Sequence, residues 1–213
     1  MDATDPHRLG PFWGRVLDLD WRAGDDGEGG LFGRTPGHTI WFNRVPEART
    51  VKHRVHLDVF TVDVDDLTAL GSTVVLPPGD DRSWTLMADL EGGEYCAFVR
   101  PELPPDRLHG LAVDCADPSA LAAWWASVYG GKLVNNEEFV TVENIPGMPI
   151  ATMDFASVPE PKTVKNRIHW DVSVDNVQAL IDAGATVLRP LGGDLEWHMM
   201  ADPEGNEFCA FVD

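Results

Sequence analysis

Two histidines, His56 and His169, stand 113 residues apart, and each is followed by a tryptophan after 28 residues (Trp84, Trp197) and a cysteine after 40 (Cys96, Cys209). An imidazole can ligate a metal or move a proton near neutral pH, a thiolate can attack or ligate, and an indole can stack on a planar ligand. These six residues are the candidate ligand-binding set. One histidine and one cysteine fall short of the three protein ligands that a catalytic divalent site generally uses. His198, on a neighbouring strand, and His109 are further donors, so the weak candidates for metal are His169, Cys209, His198 and His109. Each residue also has a plain reading. A lone histidine on a half-buried strand is commonly hydrogen-bonded structure. Cys96 and Cys209 lie among Ala, Phe and Val, where cysteine packs as a small hydrophobe. Trp84 and Trp197 serve equally well as core.

Other polar residues are weighed the same way. Asp58 and Asp171 either orient a ligand or face solvent. Glu94 and Glu207 read as hairpin-edge charges, and the basic run from Lys162 to Arg167 reads as a solvated loop. No Ser-His-Asp grouping, P-loop or GxGxxG signature adds a rival chemistry.

The elements that position these residues come in two copies. Set against each other without a gap, residues 39–99 and 152–212 are identical at 31 of 61 positions. Only tandem duplication explains such a match, and a long period with two copies means whole domains rather than a solenoid. The second copy predicts a strand over 111–115, then Asp117-Pro118 as helix cap and first helical position. Leu121, Trp124, Trp125 and Val128 follow helical spacing up to Gly130-Gly131, with the two tryptophans anchoring the helix. Strands are expected over 132–134, 139–143 and 150–158. The order then repeats, with a strand over 167–174, a helix over 177–183 and strands over 186–189, 196–201 and 207–212. Asp202-Pro203-Glu204-Gly205-Asn206 is a hairpin turn. The counterpart of strand 111–115 in the first copy would fall almost wholly before Met1, so that opening strand is expected to be truncated. The expected domains are 1–100 and 108–213, joined by a proline-rich linker over 101–107.

Composition bounds the function. A net charge of −19 over 213 residues repels phosphate backbones and anionic headgroups, so neither nucleic acid nor membrane is an expected partner. No run approaches the ~20 apolar residues of a membrane span, and Met1 to Leu9 has no signal-peptide character. Three cysteines without a CxxC fit a reduced, cytoplasmic compartment.

The paired module order, together with specific motifs, resembles a glyoxalase-like subfamily of the vicinal oxygen chelate superfamily that is common in bacteria. The motifs are Val113-Asp114-Cys115-Ala116-Asp117-Pro118, the run from Val158 to Arg167, Ile168-His169-Trp170-Asp171, and the run from Asp202 to Cys209. The resemblance covers nearly the whole chain. It implies an α+β fold of tandem domains, each of two βαβββ modules, with cup-shaped mixed sheets flanked by helices. Relatives of this architecture include glyoxalase I, extradiol dioxygenases, epimerases, fosfomycin-inactivating enzymes and metal-free bleomycin-binding proteins.

In metal-using members the ligands come from the first and last strands of paired modules. By that resemblance His56 and His169 stand at the first-strand position, and Cys96 and Cys209 stand where Glu is usual. The remaining positions fall on Gly110, one residue from His109, and near Thr152. In the first copy they fall before Met1 and near Thr39. The expected function is therefore binding of a small organic molecule in a cup, without the His-and-carboxylate metal centre and with no cofactor. The alternative is a divergent lyase, isomerase or dioxygenase using zinc, nickel, manganese or iron. A third reading is a scaffold with cups filled by Trp and Phe. Enzymatic activity is left open, a homodimer is compatible, and a single working site is expected in the second copy.

Overall fold

The computed structural model describes residues 1–79, 82–193 and 195–212; Asp213, where the expected second copy ends, lies outside them. The first half runs β1 (Asp2–Ala3), α1 (Pro6–Leu17), β2 (Asp20–Ala23), β3 (Gly29–Phe32), β4 (Thr39–Arg44), β5 (Val55–Thr61), α2 (Val64–Ala69), β6 (Thr73–Leu76), β7 (Thr85–Ala88) and β8 (Glu94–Val99). The second runs β9 (Leu108–Cys115), α3 (Pro118–Tyr129), β10 (Lys132–Asn135), β11 (Phe139–Glu143), β12 (Thr152–Ser157), β13 (Trp170–Val174), α4 (Val177–Asp182), β14 (Thr186–Arg189), β15 (His198–Ala201) and β16 (Glu207–Val212). This is four βαβββ modules in an α+β fold. The chain divides into two compact units, Met1–Ala112 with Gly147–Thr152, and Val113–Pro146 with Met153–Asp213.

In the first unit the strand orders are β1-β4-β3-β2 and β9-β5-β8-β7-β6. The opening strand β1 is two residues long and pairs parallel to β4, Asp2 opposite Asn43. β5 has a strand on each side: it runs parallel to β8, and the Phe60 N–H donates to the Arg107 carbonyl at the start of β9 (2.8 Å). Helix α1 starts where Asp5 accepts from the Arg8 N–H and Pro6 opens the first turn. It ends at Asp18 in the left-handed region (φ 60°), where α3 has Gly130 (φ 72°). Phe12 and Trp13 of α1 are buried against the sheet, with Trp13 edge-on to Tyr95 at 5.0 Å. A tryptophan of this kind removes ~150–250 Å² from water, worth roughly 4–6 kcal/mol before entropy is counted.

In the second unit the orders are β10-β11-β12-β9 and β13-β16-β15-β14, with the residues of β9 beyond Ala112 belonging here. Trp124 and Trp125 anchor α3 as the sequence predicts. Their indole N–H groups donate to the Ala183 carbonyl (2.8 Å) and to Asp202 (3.1 Å), and Trp125 meets Phe208 and Trp170 edge-on.

Two boundaries differ from expectation. β9 begins at Leu108, three residues before the apolar run, so His109 lies inside it. The strand expected from Arg167 begins only at Trp170, so His169 precedes β13, whereas His56 lies inside β5. The difference follows the pairing, because β5 is flanked on both sides while β13 ends its strand order.

Candidate functional site

Strand alternation fixes which side chains share a face. In the first unit Asp58 lies opposite Cys96 and Phe60 opposite Phe98. His56, Asp58 and Phe60 therefore line one face of β5, with Cys96 and Phe98 beside them on β8, while Leu57, Val59 and Tyr95 face the helices. His56, Asp58 and Cys96 form the deep part, only 5%, 3% and 6% exposed. His56 Nε2 lies 2.8 Å from the His53 carbonyl oxygen.

Further along the same strands the face is aromatic and half-buried. Phe98 lies at its centre, with Trp84 at 5.9 Å, His109 at 5.9 Å and Phe60 at 6.5 Å between ring centroids. His109 packs on Phe60 at 4.6 Å. Arg100 holds its guanidinium over Phe60 at 5.0 Å. The structure thus brings His56, Trp84 and Cys96 to one face, with His109 joining them as an aromatic neighbour.

The second unit repeats the register, with Asp171 opposite Cys209 and Ser173 opposite Phe211. Trp197 lies against Phe211 at 5.5 Å. Burial pushes the Cys209 thiol up to about 12, and its hydrogen bond to Asp171 and that carboxylate's charge push the same way. Although Asp171 keeps contact with solvent, the protein around it raises its carboxyl above the usual range. Met199, not His198, lies opposite Cys209, so His198 points to the other face and accepts the Leu191 N–H at Nδ1 (3.2 Å).

The side chains do not fit the metal centre that the fold family suggests. Among the described residues, no group of three or more His, Cys, Asp or Glu is placed to hold a metal ion. A thiol must lose its proton to ligate, and burial of Cys209 raises the cost of that loss. The ligand positions on Gly110 and Thr152 are in mutual contact. A Cβ at residue 110 would lie 2.6 Å from Thr152 Oγ1 and 2.7 Å from its carbonyl oxygen, so no larger side chain fits there.

Several charges expected at the surface are structural. Glu207 is buried rather than an edge charge, with Lys162 Nζ at 2.7 Å and the Asn166 N–H at 3.1 Å. Lys162 is accordingly no part of a solvated loop. Glu94 repeats the arrangement with Arg49 and the His53 N–H, both at 3.0 Å. Asp58 does not face solvent. For Glu207 and Glu94 desolvation is offset by donors held in place. Phe60, Phe98, Arg100 and Phe211 were not among the sequence candidates. Counting in steps of two from Asp58, Cys96 and Cys209 would have found them.

A family model described as Glyoxalase-like domain matches the chain twice, over residues 1–98 and 110–211. Among solved structures, glyoxalase I from Zea mays is similar with a TM-score of 0.72 at 14% identity, over 99% of this chain and 89% of that one. A putative dioxygenase from Bacillus subtilis subsp. subtilis str. 168 has a TM-score of 0.64 at 14% identity, over 100% of this chain and 83% of that one. Identities of this order carry the fold and leave the chemistry to the site. No curated protein matches the chain. Among the described residues, no helix is long and apolar enough to cross a membrane.

Proposed function

This chain belongs to the glyoxalase-like domain family of the vicinal oxygen chelate superfamily, and from that premise we propose that it binds a small organic molecule without a His-and-carboxylate metal centre. The observation that supports this reading is the face of β5 and β8 in the first unit. The buried His56, Asp58 and Cys96 share this face with half-buried aromatic rings two residues further along the strands, which suits an apolar or planar ligand oriented by few polar groups. The second unit carries Trp197, Cys209, His169 and Phe211 at the matching positions, with Ser173 in place of Phe60. Against the expectation of a single site in the second copy, we place ligand binding first in the first unit, where His56, Trp84 and Cys96 are the sequence-predicted residues. The experiment is metal loading. The protein is exposed to zinc, nickel, manganese and iron, then dialysed and subjected to elemental analysis and activity assay. Sub-stoichiometric metal and no gain of activity are expected. Tight stoichiometric binding with a gain of activity overturns the proposal.

A further inference from the structure

Arg100 follows β8 directly, at the rim of the aromatic face. The chain carries a net charge of −19, yet among the described residues no carboxylate pairs with this guanidinium. Its backbone N–H donates to the Thr61 carbonyl (2.8 Å) and its Nη1 to the Val99 carbonyl (3.0 Å). The guanidinium lies 5.0 Å from the Phe60 centroid and 5.9 Å from that of Phe98. Arg100 is exposed, and a guanidinium in cation–π contact with two rings leaves its remaining N–H donors available to a planar, two-oxygen acceptor. Phe98 is the shared neighbour of Arg100, Trp84, His109 and Phe60, so a ring stacked near Phe98 comes within reach of the guanidinium.

We propose that this face binds a planar aromatic carboxylate, with its ring against Phe98 and Trp84 and its carboxylate on Arg100. The inference rests on the small-molecule reading above and adds the charge and shape of the ligand. An aromatic cation is disfavoured because Arg100 is the rim charge. The site belongs to the first copy, since the matching sequence positions of Phe60 and Arg100 are Ser173 and Asp213.

The test uses the full chain and two isosteric probes, 2-naphthoate and the neutral 2-naphthamide, titrated by calorimetry at moderate salt. One charge-assisted bidentate contact predicts that the carboxylate binds at least about tenfold tighter than the amide. Arg100→Gln should erase that preference, while Phe98→Leu weakens both probes. Arg22→Gln, whose guanidinium lies over Phe32 instead, should change neither. If Arg100→Gln does not fold, Arg100→Lys keeps the charge, loses the fork and should lose part of the preference. Equal affinity for the two probes, a preference that survives at Arg100→Gln, or no naphthoate binding overturns the inference. Equal affinity that still depends on Phe98 overturns only the anion assignment and leaves the small-molecule reading standing.

Discussion

The indole N–H of Trp125 donates to the buried carboxylate of Asp202 at 3.1 Å, tying helix α3 to the hairpin between β15 and β16. The same carboxylate accepts from the Glu204 and Asn206 backbone N–H groups at 3.0 and 2.9 Å and from the Asn206 side chain. Trp13 and Asp89 repeat the contact in the first unit at 3.3 Å. Removing Asp202 strands several buried donors at once, so Asp202→Ala should cost roughly 3 kcal/mol and Trp125→Phe about 1–2 kcal/mol in urea unfolding. A loss below about 0.5 kcal/mol for Asp202→Ala would mean that the turn holds itself without the carboxylate.

Cys209 gives a pH prediction. Its thiol is raised from 9.0 to about 12 in the folded chain, chiefly by burial. Below about 9 both folded and unfolded chains hold the proton; between about 9 and 12 only the folded chain does. The unfolded state then binds fewer protons, so stability falls as pH rises through that window. Cys209→Ala should flatten the decline between pH 9 and 11 relative to the parent chain. Identical slopes for the two proteins would show that this thiol is not held protonated by the fold.

Gly110 is fixed by close approach. Gly110→Ala places a Cβ 2.7 Å from the Thr152 carbonyl oxygen. The strands must separate, and a loss of about 1–3 kcal/mol is expected in thermal unfolding. Thr152→Ala in the same chain should not rescue it, because the backbone oxygen remains. Full rescue would place the conflict on the hydroxyl instead.

Much of the fold was legible in the sequence because duplication prints every signal twice. Asp5-Pro6 and Asp117-Pro118 open helices, Gly130 closes one, and the alternation around Cys96 and Cys209 marks β8 and β16. The site was harder to read. Histidine and cysteine draw attention by residue type, but pairing decides what they face: His198 points away from Cys209, and His169 falls outside its strand although its twin His56 lies within one. Glu207 and Asp58 carry no local sign of burial, since the donors that satisfy Glu207 come from Lys162 and Asn166, more than 40 residues away. Phe60 and Phe98 look like ordinary strand residues until the register between β5 and β8 sets them side by side.

Ligand binding in the absence of metal tests the central claim most directly. The protein is stripped with EDTA and screened against a library of small organic acids and neutral aromatics by thermal shift, with calorimetry on the hits. A ligand should raise the unfolding midpoint equally in stripped and metal-supplemented protein, and the shift should disappear in Trp84→Ala and Phe98→Ala. Binding that requires stoichiometric zinc, nickel, manganese or iron, and that is lost in His56→Ala while Trp84→Ala and Phe98→Ala retain it, would contradict the claim.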